Sequence, residues 1–191
     1  MSGKILTLWV FTFLYGTSLG QTHLERKKGF QFNVQSFAMM VTDKDENLSD
    51  SQPEELYMHP RESYLLGINF EAHYRFDEYL VVGLGTGFEQ IHHPDISYVP
   101  VYISLRSSIG GEKIEAPIFR LDIGTHFGDL AKNGTLLRVG MGYRLPIFKA
   151  LCANFEGLLT YQAIRKEFDI QPDVVQYYNM VGIGIGVGLE L

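Results

Sequence analysis

Cysteine and tryptophan are almost missing from this 191-residue chain: Cys152 and Trp9 are the single examples. One cysteine allows no internal disulfide, so the chain is not one of the small secreted domains held together by such bonds. Cys152 sits in an alternating run and reads as a small packed hydrophobe rather than a reactive thiol. No stretch reaches the ~18 consecutive apolar residues of a membrane helix, and a mean hydropathy of −0.01 agrees. Positive charge is also scarce: 16 Lys and Arg against 22 Asp and Glu leave a formal charge of −6. That gives no electrostatic basis for nucleic-acid binding. None of these absences excludes a membrane β-barrel, because half of each of its strands is polar. The length suits one domain, with or without a tail.

The two ends carry the strongest signals. Lys4, the apolar stretch Ile5–Tyr15 and the small residues Ser18 and Gly20 before Gln21 are the three parts of a secretory signal peptide. No cysteine stands near the cleavage point, so no lipoprotein is expected. The expected division is signal peptide 1–20 and a single domain 21–191, with a mature charge of 15 − 22 = −7. At the other end, Val181, Ile183, Ile185, Val187, Leu189 and Leu191 alternate with Gly182, Gly184, Gly186, Gly188 and Glu190. Strict alternation over this length makes a β-strand with one greasy and one bare or charged face. A transmembrane strand needs ~9–11 residues.

Seven more segments alternate similarly. The clearest sets Tyr64, Leu66, Ile68, Phe70, Ala72, Tyr74 and Phe76 against Leu65, Gly67, Asn69, Glu71, His73 and Arg75. Strands are also expected over 79–91, 96–109, 117–127, 137–145 and 153–162. The first, 29–41, changes parity. Phe30, Phe32 and Val34 share one face, whereas Phe37, Met39 and Val41 share the other. This predicts a β-bulge at Gln35-Ser36. Pro100 demands a bulge or a local break in the fourth strand. Residues 42–62 and 165–176 read as long loops, which places the larger connections on one rim and both mature ends on the other. The pattern predicts an all-β protein, an eight-stranded antiparallel up-and-down transmembrane β-barrel. No second domain, and so no peptidoglycan anchor, is expected after Leu191.

Charge placement decides which face is inside. Every lysine after residue 20 falls in a loop, turn or terminus, whereas Arg75, Arg106, Arg120, Arg138 and Arg144 lie within strands on the less apolar face. Glu71, Glu89, Asp122, Glu156 and Glu190 share that face. On the lipid face a basic residue costs ~2–4 kcal/mol at the midplane, so this face belongs in the lumen. Buried charges persist when paired and hydrogen-bonded, and the planar guanidinium grips carboxylates in a way an ammonium cannot. An eight-stranded barrel is just wide enough for side chains to fill. The expectation is a lumen plugged by this structural charge network, with glycines at 83, 85, 87, 140, 142 and 182–188 leaving room for the long side chains. Tyr64, Phe76, Tyr79, Phe88, Phe127, Tyr143, Tyr161 and Tyr177 near the strand ends suit aromatic girdles.

The leader, the eight alternating segments and the terminal strand resemble the small outer-membrane β-barrel families, OmpA-transmembrane-domain-like and OmpX-like. Tyr98-Val-Pro-Val-Tyr-Ile-Ser-Leu-Arg106 and Ala116-Pro-Ile-Phe-Arg-Leu-Asp-Ile-Gly124 are similar to the fourth and fifth strands of porin-family outer-membrane β-barrel domains. The resemblance implies the outer membrane of a Gram-negative bacterium, a monomer in outer-membrane lipid, and insertion by the barrel-assembly machinery. Such proteins usually end on an aromatic residue; this chain ends on Leu191. The family has no shared catalytic residues to carry over.

No catalytic, metal or cofactor site stands out. His92, His93 and Asp95 are three potential ligands in what reads as a solvated loop. Asp122 and His126 share the interior face of one strand, with no serine placed to join them. Asp43, Asp45, Asn47 and Glu54 match four positions of a calcium loop, but Leu48 stands where glycine is required. Asn47-Leu-Ser49 and Asn133-Gly-Thr135 are sequons that matter only in a eukaryotic host. A non-enzymatic barrel with a structural or surface-interaction role is the expectation; its external-loop partner is not legible. The alternatives are a narrow porin for small solutes, a lipid-modifying barrel enzyme, and a soluble lipocalin-like barrel that would expose Arg75, Arg138 and Glu156.

Overall fold

The computed structural model describes residues 28–47, 63–77, 79–92, 95–109, 115–128, 134–148, 151–168 and 171–191, without the side chains of 43–47, 165–168 and 171–178. The expected signal peptide lies outside these residues. Eight strands follow one another: β1 Gly29–Asn47, β2 Tyr64–Arg75, β3 Leu80–His92, β4 Ile96–Ser108, β5 Ala116–Phe127, β6 Gly134–Pro146, β7 Cys152–Phe168 and β8 Gln171–Glu190. Each pairs antiparallel with the next, and β8 pairs with β1 to close the barrel. Closure leaves no open sheet edge around the wall, so the backbone satisfies its own hydrogen bonds where hydrocarbon offers none.

Burial alternates along every described strand and sets the faces. Leu84, Ile103, Ile123, Val139, Leu159 and Ile185 are among the large apolar side chains exposed on the outer wall. All ten strand charges named above are buried inside. A soluble barrel needs the reverse arrangement; this one is built for a bilayer. Tyr64, Phe88, Phe127 and Tyr161 face outward toward one rim, and Phe76, Tyr79 and Tyr143 toward the other; the Tyr177 side chain lies outside the description. Near that second rim Tyr74 packs edge-on against Phe30 (5.2 Å) and Phe76 (5.0 Å).

Three expectations need correction. First, β1 has no slip at Gln35-Ser36. Gln31, Asn33, Gln35, Phe37, Met39 and Val41 all point inward in unbroken alternation, and the irregularity against β8 falls between Val41 and Asp43. The parity change records a lumen that turns apolar partway along, not a bulge. Second, β1 continues to Asn47, so residues 42–47 are strand. Asp43–Asn47 is extended and paired with β8, which is not the backbone of a calcium loop; Glu54 lies outside the described residues. Third, the supposed loop 165–176 is almost all strand: β7 and β8 pair from Arg165↔Tyr177 to Phe168↔Gln171, with one register shift between Glu167 and Phe168. Pro100 produces a local break and no bulge. The β3–β4 ladder stops at Thr86↔Val101 and resumes in the same register at Glu89↔Tyr98.

The rim at which β1 begins and β8 ends is called here the turn rim, because Asp77 and Phe148 turn the chain there. The opposite one, reached by Asn47 and Phe168, is the loop rim.

Candidate functional site: the lumen

β2 supplies the centre of the lumen. Glu71 accepts hydrogen bonds from Arg106 Nη2 (2.5 Å), Tyr102 Oη (2.8 Å), Asn33 Nδ2 (2.8 Å) and Arg120 Nη2. Side chains from β1, β4 and β5 thus converge on one carboxylate of β2, because alternate residues of each strand point to the same axis. Arg120 spreads its fork over more partners. Nε donates to Asp122 Oδ2 (2.6 Å), Nη1 to Gln35 Oε1, and Nη2 also reaches Tyr102 Oη (3.3 Å). A lysine ammonium could not hold that planar set. Glu156 stands 3.6 Å from Arg120 Nη1 and 3.8 Å from Arg106 Nη2, without a hydrogen bond to either oxygen.

A second cluster lies toward the loop rim. Arg138 Nη2 donates to Glu89 Oε1 (2.7 Å), and Gln162 Nε2 reaches Glu89 Oε2 (3.3 Å). The Tyr98 hydroxyl donates to Gln162 Oε1 (2.5 Å). The Arg138 guanidinium also sits over the Phe37 ring, 4.5 Å from its centroid, a cation–π contact that desolvation strengthens. Phe37 belongs to a buried apolar group with Met39, Val41, Leu65, Ile91, Ile96, Ile164 and Met180. This layer closes the lumen beneath the loop rim. Sequence reasoning missed it, because Phe37, Met39 and Val41 were placed on the lipid side.

The third cluster lies toward the turn rim. With its amide oriented to satisfy both neighbours, Gln31 accepts from Arg75 Nε (3.1 Å) and donates to Glu190 Oε1 (3.3 Å). Asn154 Nδ2 donates to Glu190 Oε2 (3.0 Å), and Arg144 Nη1 to Ser108 Oγ (3.3 Å). Cys152 is a buried free thiol at the same end. A cavity of about 10 Å³ lies among Gln31, His73, Arg75, Arg106, Ser108, Arg144 and Glu190.

The ten charged residues expected in the lumen all lie inside it, in three groups; Arg106 stands between the central group and the turn-rim group, 2.5 Å from Glu71 and 3.8 Å from Glu190. The uncharged members are the ones sequence reasoning passed over: Gln31, Asn33, Gln35, Tyr98, Tyr102, Asn154 and Gln162. Their signal was a place on the charged parity of each strand. Among the expected glycines, Gly83 and Gly85 make room for rings, and Gly140 and Gly186 for Leu158, Glu156 and Gln35. A Cβ on Gly85 would stand 2.2 Å from the Tyr102 ring, which lies across the bare backbone.

The remaining candidates do not assemble. Asp122 is held by Arg120, whereas His126 is fully buried with its ring edge-on to Tyr98 at 4.5 Å. His92 Nδ1 lies 3.2 Å from Asp95 at the loop rim, with Tyr64 stacked on its ring (4.7 Å); His93 is outside the description. Among the described residues, no three His, Cys, Asp or Glu side chains converge as a metal set would.

A scan against protein families and a search of curated proteins give no match. Among solved structures, the chain is similar to the outer membrane protein OprG from Pseudomonas aeruginosa. The TM-score is 0.51 at 15% identity, covering 88% of this chain and 98% of that one. Neisserial surface protein A (NspA) is similar at TM-score 0.50 and 12% identity, covering 85% and 99%. At these identities the likeness is one of fold: a closed eight-stranded antiparallel barrel of the small outer-membrane type.

Proposed function

We propose that this chain is a non-enzymatic barrel of the bacterial outer membrane, with a structural or surface-interaction role and a lumen that carries no solute. The observation behind this reading is the lumen itself. Ten ionisable side chains from seven strands are interlocked there, and an apolar layer lies between them and the loop rim. A solute crossing the barrel would have to part buried guanidinium–carboxylate pairs, at several kcal/mol for each charge stranded, and then pass Phe37, Met39 and Ile91. The lumen network is structural in this reading: it fills and stiffens the barrel. The long connection 48–63 and the raised ends of β1, β7 and β8 support placing the loop rim outside and the turn rim in the periplasm. Outer-membrane lipid, the barrel-assembly machinery and an external-loop partner remain the expected company of a monomer whose leader, residues 1–20, is removed on export.

Single-channel recording on the refolded protein in planar bilayers tests this. Folding is first established by a boiling-dependent gel shift. Silence of a folded barrel is the expected result. Steady, reproducible conductance would overturn the plugged lumen and favour a narrow porin.

A further inference from the structure

The outer wall is not evenly filled. Across β1 to β4 its outward residues pair in rows: Phe32, Ala72 and Leu84 in one, and Phe70, Thr86 and Val101 in the next toward the loop rim. All six are exposed. The two small members, Ala72 and Thr86, are diagonal neighbours set between large ones. They floor a groove of about 400 Å³ with almost wholly apolar walls, within the size range of small-molecule sites. Ala72 stands four residues from Phe76, ~13 Å along the strand and ~10 Å in depth at the usual tilt. The groove therefore opens into the leaflet on the turn-rim side of the ~25 Å apolar band. No water is available there, and a groove wall with no atoms against it forfeits its dispersion contacts. Toward the turn rim the same two strands carry the edge-packed rings of Phe30, Tyr74 and Phe76. Just beyond them lie Lys28 and Asp77, both exposed and close enough for the Lys28 charge to act on the Asp77 carboxylate. A cation and an anion side by side complement a headgroup that carries both signs.

We propose that this groove seats one acyl chain of a zwitterionic phospholipid, drawn from the leaflet at the turn rim, with its headgroup beside Lys28 and Asp77. Lipid tails are as apolar as the wall itself, so shape and packing select the chain, not hydrophobicity. A smooth wall touches a chain on one side; the groove touches it on its floor and both flanks. A second copy of the barrel is a poorer occupant, because a two-fold contact sets the same patch against itself, and two grooves face to face enclose a void. The proposal rests on the reading of the barrel as a membrane resident, and not on which rim faces outward.

The test is native mass spectrometry of the refolded protein in non-ionic micelles titrated with phosphatidylethanolamine. Each sample is first shown to give the boiling-dependent shift. Wild type is expected to retain one lipid, saturably. Ala72→Phe fills the groove and is expected to weaken retention about tenfold, the loss of roughly ten carbon–carbon contacts. Thr86→Phe fills it from the other strand and decides if Ala72→Phe does not fold. Val139→Phe, on the β6 part of the wall, is expected to change nothing. Lys28→Glu turns the cation at the headgroup into a second anion and is expected to weaken retention several-fold. No saturable lipid on wild type, or retention indifferent to the groove-filling variants or to Lys28→Glu, overturns the proposal. A dimer that Ala72→Phe abolishes overturns it in favour of a second copy. If wild type itself gives no shift, the barrel reading fails and the proposal with it.

Discussion

Replacing Glu71 by alanine tests the core of the lumen. The substitution strands Arg106 Nη2 and Arg120 Nη2 and frees the donors of Tyr102 and Asn33. Breaking a buried pair by removing one partner costs about 3–5 kcal/mol, because a charge stays buried without its counterion. Here relief is at hand. Glu156 stands 3.6 Å from one guanidinium and 3.8 Å from the other, with both oxygens unbonded. A rotamer change brings it onto them. Glu71→Ala is therefore expected near the lower end, about 3 kcal/mol. Glu156→Ala alone is expected to cost less, and the double variant to cost at least ~1 kcal/mol more than the sum, since coupled sites are not additive. The assay is urea unfolding in phosphocholine vesicles, scored by the fraction retaining folded mobility on unboiled gels. Tryptophan fluorescence is no help, since Trp9 is the sole tryptophan and lies in the proposed leader, 1–20. A loss below ~1 kcal/mol for Glu71→Ala, or strict additivity, would refute the reasoning.

Other substitutions probe the wall and the turns. A Cβ on Gly142 would stand 1.9 Å from the Phe155 carbonyl oxygen, whereas one on Gly157 meets nothing nearer than 3.7 Å; Gly142→Ala is expected to cost at least ~1–3 kcal/mol and Gly157→Ala little, by the same urea assay. Leu84 is 65% exposed on the outer wall. Leu84→Arg is expected to cost ~2–4 kcal/mol in vesicles and much less in micelles, and equal costs in the two would refute the lipid-facing assignment. Asp77 accepts from the backbone N–H groups of Leu80 (2.7 Å) and Tyr79 (2.8 Å), and these bonds hold its carboxyl below the ordinary range. A lowered folded-state pKa adds stability above the unfolded value of about 3.9 and loses it as pH falls through the folded one. Any difference in urea midpoint between wild type and Asp77→Asn should therefore change only below about pH 4.

Much of this fold was legible because a lipid-facing wall leaves little choice. Charged residues cannot sit on it, so their parity sets the faces of β2 through β8. The same rule failed in β1. Phe37, Met39 and Val41 obey the barrel's alternation, but they face a lumen that has become apolar. Hydrophobicity marks the lipid side only where the interior is polar. The ends of β7 and β8 were missed for a related reason. Beyond the bilayer no face needs to be greasy, so residues 165–176 carry no alternation although 165–168 pair with β8. The lumen charges were legible as a set, but their partners were not. Which arginine meets Glu71 depends on the closure and stagger of the barrel, which no single strand encodes.

The seam between β1 and β8 has a consequence for how the barrel comes into being. Asn33 pairs with Glu190, and Phe32 and Leu191 exchange reciprocal backbone hydrogen bonds of 2.9 and 2.8 Å. These contacts join the first and last of the eight strands, so this ladder spans the longest loop closure among them. Until it forms, β1 and β8 both present unpaired amides and carbonyls, which hydrocarbon does not tolerate. A partly assembled wall is therefore not a stable resident of the bilayer. Insertion and closure must be one event, and losing even a few residues of β8 should prevent membrane residence rather than merely weaken it.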